Sequence, residues 1–193
     1  MLSAVSRDTT YNTVRSASMI IYSYSYNKSH TRVDTDNCIC DAVTKYINKT
    51  RGTSPKKLFV KRTSLGKPFV EGEKNLHISV THAASLMLVA VDDVEIGIDC
   101  EESSRRVRDS AALASRFFTP CERALLEKCE GESKNEVFLK IWVTKEALVK
   151  LSGEGMAAIT RTDSCNLPSY IEKKEITDYP GYTVVAVRKA NKE

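Results

Sequence analysis

The stretch SKNEVFLKIWVTKEALVKL, Ser133 to Leu151, decides how the rest of the chain is read. Val137, Phe138, Ile141, Trp142, Ala147, Leu148 and Leu151 recur at three- and four-residue spacing, which predicts one amphipathic helix with a single apolar stripe, closed by Gly153 and Gly155. Trp142 lies on the stripe and reads as core. Lys145 and Glu146 stand in the middle of this helix, and Lys150 follows Glu146 one turn later on the same face. An ordinary solvated Glu–Lys pair accounts for that face, and so does one wall of a charged pocket.

Upstream, Thr119-Pro120 supplies an N-cap and a first-turn proline for a helix over CERALLEKC, with Glu122 placed as in a capping box; Asp109 to Phe118 forms another helix. Before them stands IGIDCE, Ile96 to Glu101, at the end of a strand from Glu95. In a strand Asp99 and Glu101 point to the same side, about 7 Å apart by backbone rise. Like charges so close call for a cation; the plainer alternative is that the strand ends in solvent.

The remaining elements are a strand over Ser18 to Tyr26, where Ser and Tyr alternate, and a helix from Asp36 to Lys49 ended by Arg51-Gly52. Short strands follow at Lys57–Lys61, Leu76–Val80 and Ser85–Val91, and two more close the chain at Tyr170–Ile176 and Tyr182–Val187. Strands and helices mix without regular βαβ alternation, so the fold class is α+β. The nearest thing to a boundary falls near Asp93, where a strand-rich half passes into a helix-rich half.

A chain of 193 residues with net charge +4 suffices for one large domain or two small ones, and its dispersed Lys and Arg do not make nucleic acid a leading partner. Cys38 and Cys40 are two apart, and Cys121 with Cys129 offers no second ligand pair for zinc, so the six cysteines read as free thiols of a cytoplasmic protein. The opening MLSAVSRDTT lacks the apolar core of an export signal, and no run reaches the ~20 apolar residues of a membrane span.

The succession G-I-D-x-E and, about 45 positions on, W-x-x-K-E-A-x-x-K resembles the signature of 4'-phosphopantetheinyl transferases, of the larger surfactin-synthetase-activating type. LGKP at Leu65 to Pro68, the Thr81-His82 step, SRFFTPCERALL and EITDYPGYTVVAV extend the likeness over roughly Ser64 to Val187; the first 60 residues match poorly. The resemblance implies two similar α+β halves in a pseudo-twofold arrangement, residues 1–93 and 94–193, with coenzyme A between them and a single chain as the active unit.

It further implies transfer of the phosphopantetheine arm from coenzyme A to a serine of an apo acyl or peptidyl carrier protein, releasing adenosine 3',5'-bisphosphate. Asp99, Glu101 and Glu146 match the ligands of magnesium, with manganese as the alternative. Glu146 then also accepts the serine proton, directly or through water, and Lys150 neutralises the leaving bisphosphate. Lys145 is a second phosphate contact by the same likeness, and Lys67, Thr81 and His82 match the coenzyme-holding positions. Cys100 replaces a branched aliphatic and should face away from the acids. The rival readings are a non-catalytic relative that binds a nucleotide or carrier protein, and a metal-dependent pyrophosphate hydrolase; intact acids and lysines speak against a catalytically dead relative.

Overall fold

A computed structural model describes residues 8–10, 19–27, 29–55 and 57–190; residues 1–7, on which the export-signal expectation rests, and the first residue of the expected Ser18 strand lie outside them. The architecture is α+β. Strands β1 (Asp8–Thr10), β2 (Ile20–Ser25), β5 (His77–Ala83) and β6 (Leu86–Asp92) form one antiparallel sheet in the order β1-β2-β6-β5. Strands β7 (Ile96–Glu102), β8 (Ile171–Ile176) and β9 (Tyr182–Lys189) form a second, ordered β7-β9-β8, and β3 (Val60–Arg62) pairs with β4 (Pro68–Val70) as a short hairpin.

Alternation along β2 shows how one strand serves two cores. Ile20, Tyr22 and Tyr24 pack against Ile39, Val43 and Tyr46 of helix α1 (Arg32–Arg51), while Met19 and Ile21 join Ile96, Ile98 and Val184 between the sheets. Helix α1 begins four residues before the expected Asp36. Its cap is Thr31, whose hydroxyl accepts from Asp34 N at 3.2 Å while the Asp34 carboxylate accepts from Thr31 N at 2.8 Å.

Helices α2 (Ser110–Phe117) and α3 (Pro120–Glu127) lead into α4 (Gly131–Ser152), which lays Val143, Ala147 and Leu151 on Val185 and Val187 of the second sheet. Thr119 and Glu122 form the capping box expected for α3. A 3-10 turn, Met156–Arg161, follows α4, and no helix among the described residues is long and apolar enough to cross a membrane.

The two sheets meet edge to edge at β5 and β7, where no backbone ladder forms. Instead Ser79 Oγ accepts from Ile98 N at 3.0 Å and Thr81 Oγ1 from Cys100 N at 3.3 Å. These hydroxyls satisfy N–H groups that would otherwise be buried without partners. A buried ion pair between Arg188 and Asp92, 3.2 Å apart, ties β9 to the end of β6.

Candidate active site

Strand β7 sends Ile96, Ile98 and Cys100 into the core between the sheets, so Gly97, Asp99 and Glu101 face the other way, toward α4. Cys100 therefore stands where the alternation rule placed it, and burial pushes its thiol up to about 12. Gly97 sets the approach of strand and helix: a Cβ there would lie 1.9 Å from Ala147 O and 2.6 Å from Leu151 N. With no side chain in the way, the helix comes close enough for residues 146 and 150 to share a site with the strand's acids.

Asp99 is 3 % exposed. Its Oδ1 accepts from Thr81 Oγ1 at 2.8 Å and from Lys150 Nζ at 2.7 Å, while Oδ2 is buried without a hydrogen-bond partner. Glu101 is paired with Arg105. Burial, foremost, and then the charge of Asp99 push the Glu146 carboxyl up to about 7; Lys150 and a hydrogen bond from Trp142 oppose the rise, and Glu101 adds to it. The three carboxylates thus feel one another, and two of them carry an internal cation.

Among the described residues no three carboxylate, imidazole or thiol side chains are gathered as a metal cage, and Lys150 and Arg105 each pair with one oxygen, of Asp99 and of Glu101 respectively. The donor chemistry nonetheless fits a hard cation: all the donors are oxygens, and one, Asp99 Oδ2, is buried and unpartnered.

Other expected contacts change place. Lys145 does not reach a phosphate: it is 0 % exposed, its ammonium 2.9 Å from Glu122 Oε2 and also donating to the Thr162 carbonyl. Glu122 is equally enclosed and accepts from Ser164 N at 2.7 Å as well, so the pair is an internal tie between α3, α4 and the segment after the 3-10 turn. The Thr81 hydroxyl is likewise committed, to Asp99 and Cys100, and orients the acid rather than facing a coenzyme. The Lys67 ammonium donates to Leu151 O at 2.7 Å, at the negative end of α4, and burial lowers its pKa.

Lys67 and Lys150 nevertheless line a cavity of about 230 Å³ together with Ser79, Gly153, Gly155 and Met156. It runs between β5 and the end of α4. Gly153, at φ 71, ends the helix as expected.

His82 is exposed, and burial of its ring face and the nearby Lys150 charge lower its pKa, favouring the neutral imidazole. Tyr26 stacks on it with ring centroids 4.2 Å apart, and His30 lies 5.0 Å from Tyr26. Trp142 is partly buried against Phe117 and Phe138, so the core expectation holds, but its bond to Glu146 gives it a place in the site too. Gly97, Tyr26, Arg105 and Glu122 were not expected here. Of these Glu122 had a signal in its capping-box position and Gly97 in the G-I-D-x-E stretch, though neither pattern showed the contact it makes.

Comparison with known proteins matches the part of the chain that carries β7 and α4. Positions 95–177 match the family model described as the 4'-phosphopantetheinyl transferase superfamily. The chain is 31 % identical over 138 residues to the 4'-phosphopantetheinyl transferase HetI of Nostoc sp., covering 69 % of this chain and 57 % of that protein. It is 26 % identical over 132 residues to the transferase Sfp of Bacillus subtilis, covering 61 % and 57 %. Against the transferase AcpT of Salmonella typhimurium it is 34 % identical over 106 residues, 54 % of either chain. The chain spans about half the length of the curated relatives it matches.

Proposed function

We propose that the chain is a 4'-phosphopantetheinyl transferase, a reading supported by the family model over positions 95–177 and by the likeness to HetI and Sfp, and that it transfers the 4'-phosphopantetheine arm of coenzyme A to a serine of an apo acyl or peptidyl carrier protein. The observation that carries this reading is the meeting of Asp99 and Lys150 at 2.7 Å, with Glu146 close enough for both charges to act on its carboxyl, which burial pushes up to about 7. Acids from a strand and an acid and an ammonium from a helix supply the charges that the proposed reaction would need around a diphosphate.

In this proposal the residues 1–93 and 94–193 act as two halves around the coenzyme, and a single chain is the active unit. Asp99, Glu101 and Glu146 would hold a magnesium ion, or manganese in its stead, which when bound neutralises charge on the pyrophosphate. Thr81 fixes Asp99 for that role. The carrier serine oxygen bonds to the β-phosphorus as the anhydride oxygen departs with adenosine 3',5'-bisphosphate. Glu146 takes the serine proton, for which a pKa near the working pH is suited.

Lys150, on the cavity wall, meets the charge that develops on the leaving group. His82, steadied by the Tyr26 ring, faces the phosphate and adenine side of coenzyme A. Lys67 shapes the cavity through its hold on the end of α4.

The test is the mass of an apo carrier protein after incubation with this protein, coenzyme A and magnesium. Gain of one phosphopantetheine supports the transferase. Hydrolysis of coenzyme A without gain of mass supports a hydrolase, and binding alone a non-catalytic relative.

A further inference from the structure

Two basic side chains lie on the acids of β7, and only Lys150 has a part in the proposed reaction. The other, Arg105, is held to its position by more than its charge. After β7 the chain turns, with Arg105 N donating to Glu102 O at 3.0 Å. Asn135 of α4 then brackets the turn: its Nδ2 donates to Arg105 O at 2.9 Å, and its Oδ1 accepts from Val107 N at 3.3 Å. Glu101 is fixed in the ladder opposite Thr183 of β9. Both backbones are thus set before the guanidinium meets the carboxylate, which lowers the entropy lost in forming the pair.

We propose that Arg105 is a built-in counter-ion of the metal-free site, occupying Glu101 until a divalent cation displaces it. The inference rests on the reading of Asp99, Glu101 and Glu146 as ligands. Three carboxylates in one neighbourhood repel one another when the ion is absent. Lys150 on Asp99 and Arg105 on Glu101 offset two of the three charges. Because Arg105 and the ion compete for the Glu101 carboxylate, the arginine weakens ion binding. The arginine side chain is 51 % exposed and the glutamate 19 %, so the pair is partly screened and the competition modest.

The test is manganese binding by calorimetry on the whole chain, with melting temperature as the check on folding. Arg105→Ala should tighten manganese binding about two- to five-fold, the range corresponding to a half-exposed pair. Arg105→Lys should bind as the wild type does. Asn135→Ala, which releases the turn, should tighten binding by a smaller factor. Arg106→Ala removes a neighbouring positive charge paired with the exposed Glu132 and should leave the affinity unchanged.

Equal tightening by Arg106→Ala and Arg105→Ala would reduce the effect to general electrostatics and overturn the proposal. So would an affinity unchanged or weakened by Arg105→Ala while Glu101→Gln abolishes binding, which leaves the metal site standing. Absence of manganese binding in the wild type itself would overturn the ligand reading and the counter-ion together.

Discussion

Gly97→Ala is the smallest change that should take the site apart. The added Cβ would stand 1.9 Å from Ala147 O and 2.6 Å from Leu151 N, and both are backbone atoms of α4 that no rotamer change can move. An ordinary carbon–oxygen contact of this kind is well over 3 Å, so strand and helix must separate by roughly 1 Å or more. Overpacking of this kind costs about 1–3 kcal/mol when side chains can yield, and a rigid backbone contact belongs at or above the upper end. At ~3 kcal/mol the melting temperature of a chain this long falls by about 6–12 °C.

The clash falls beside the acids. Gly97 lies two residues before Asp99, and Ala147 directly follows Glu146, so the separation opens the site itself. A misplacement near 1 Å can cost about 10²-fold in rate. Thermal melts and manganese titration should therefore show a less stable protein that binds the ion weakly. A variant with wild-type melting temperature and wild-type affinity would refute the claim that this close approach positions the site.

Glu146 is held above its ordinary value, so the folded protein binds its proton more tightly than the unfolded chain does. The stability from that proton is present below the usual glutamate range and is lost as pH rises through about 7. In chelator, Glu146→Gln should accordingly gain up to about 3 kcal/mol on the wild type between pH 5 and pH 8; urea unfolding that shows the same difference at both pH values would contradict this. Lys145→Met strands the enclosed Glu122 carboxylate and should cost about 3–5 kcal/mol, most of it recovered by adding Glu122→Gln, as denaturant midpoints will show. His82→Ala should raise the coenzyme KM with little change in kcat, and steady-state kinetics with the balance reversed would remove His82 from coenzyme binding.

The parts legible in the sequence were those with a local period or a local motif. Helix α4 showed as a stripe, α3 as a capping box, and β7 as an apolar run ending in alternate acids whose common face follows from the pleat. The start of α1 was hidden because Val33 and its neighbours are solvent-facing, so the apolar period begins only further along. Strand β4 spans only Pro68–Val70, too short for alternation to register.

The misplaced roles share one cause. A charge within an apolar stripe announces a partner but does not say where it is, and the partner of Lys145 proved to be Glu122, on another helix. Thr81 likewise serves Asp99 from a neighbouring sheet. Arg105 lies in SSRRVRD, where nothing separates it from the other arginines until Asn135 is seen to bracket its turn.

The central claim is that acids from β7 and α4 close on a single divalent ion. Crystals grown with manganese and coenzyme A, measured for the anomalous scattering of manganese, test it most directly. The account predicts one strong peak at about 2.0–2.3 Å from oxygens of Asp99, Glu101 and Glu146, beside the pyrophosphate. A peak elsewhere, or coenzyme bound with Lys150 still on Asp99 and no ion between the acids, would contradict it.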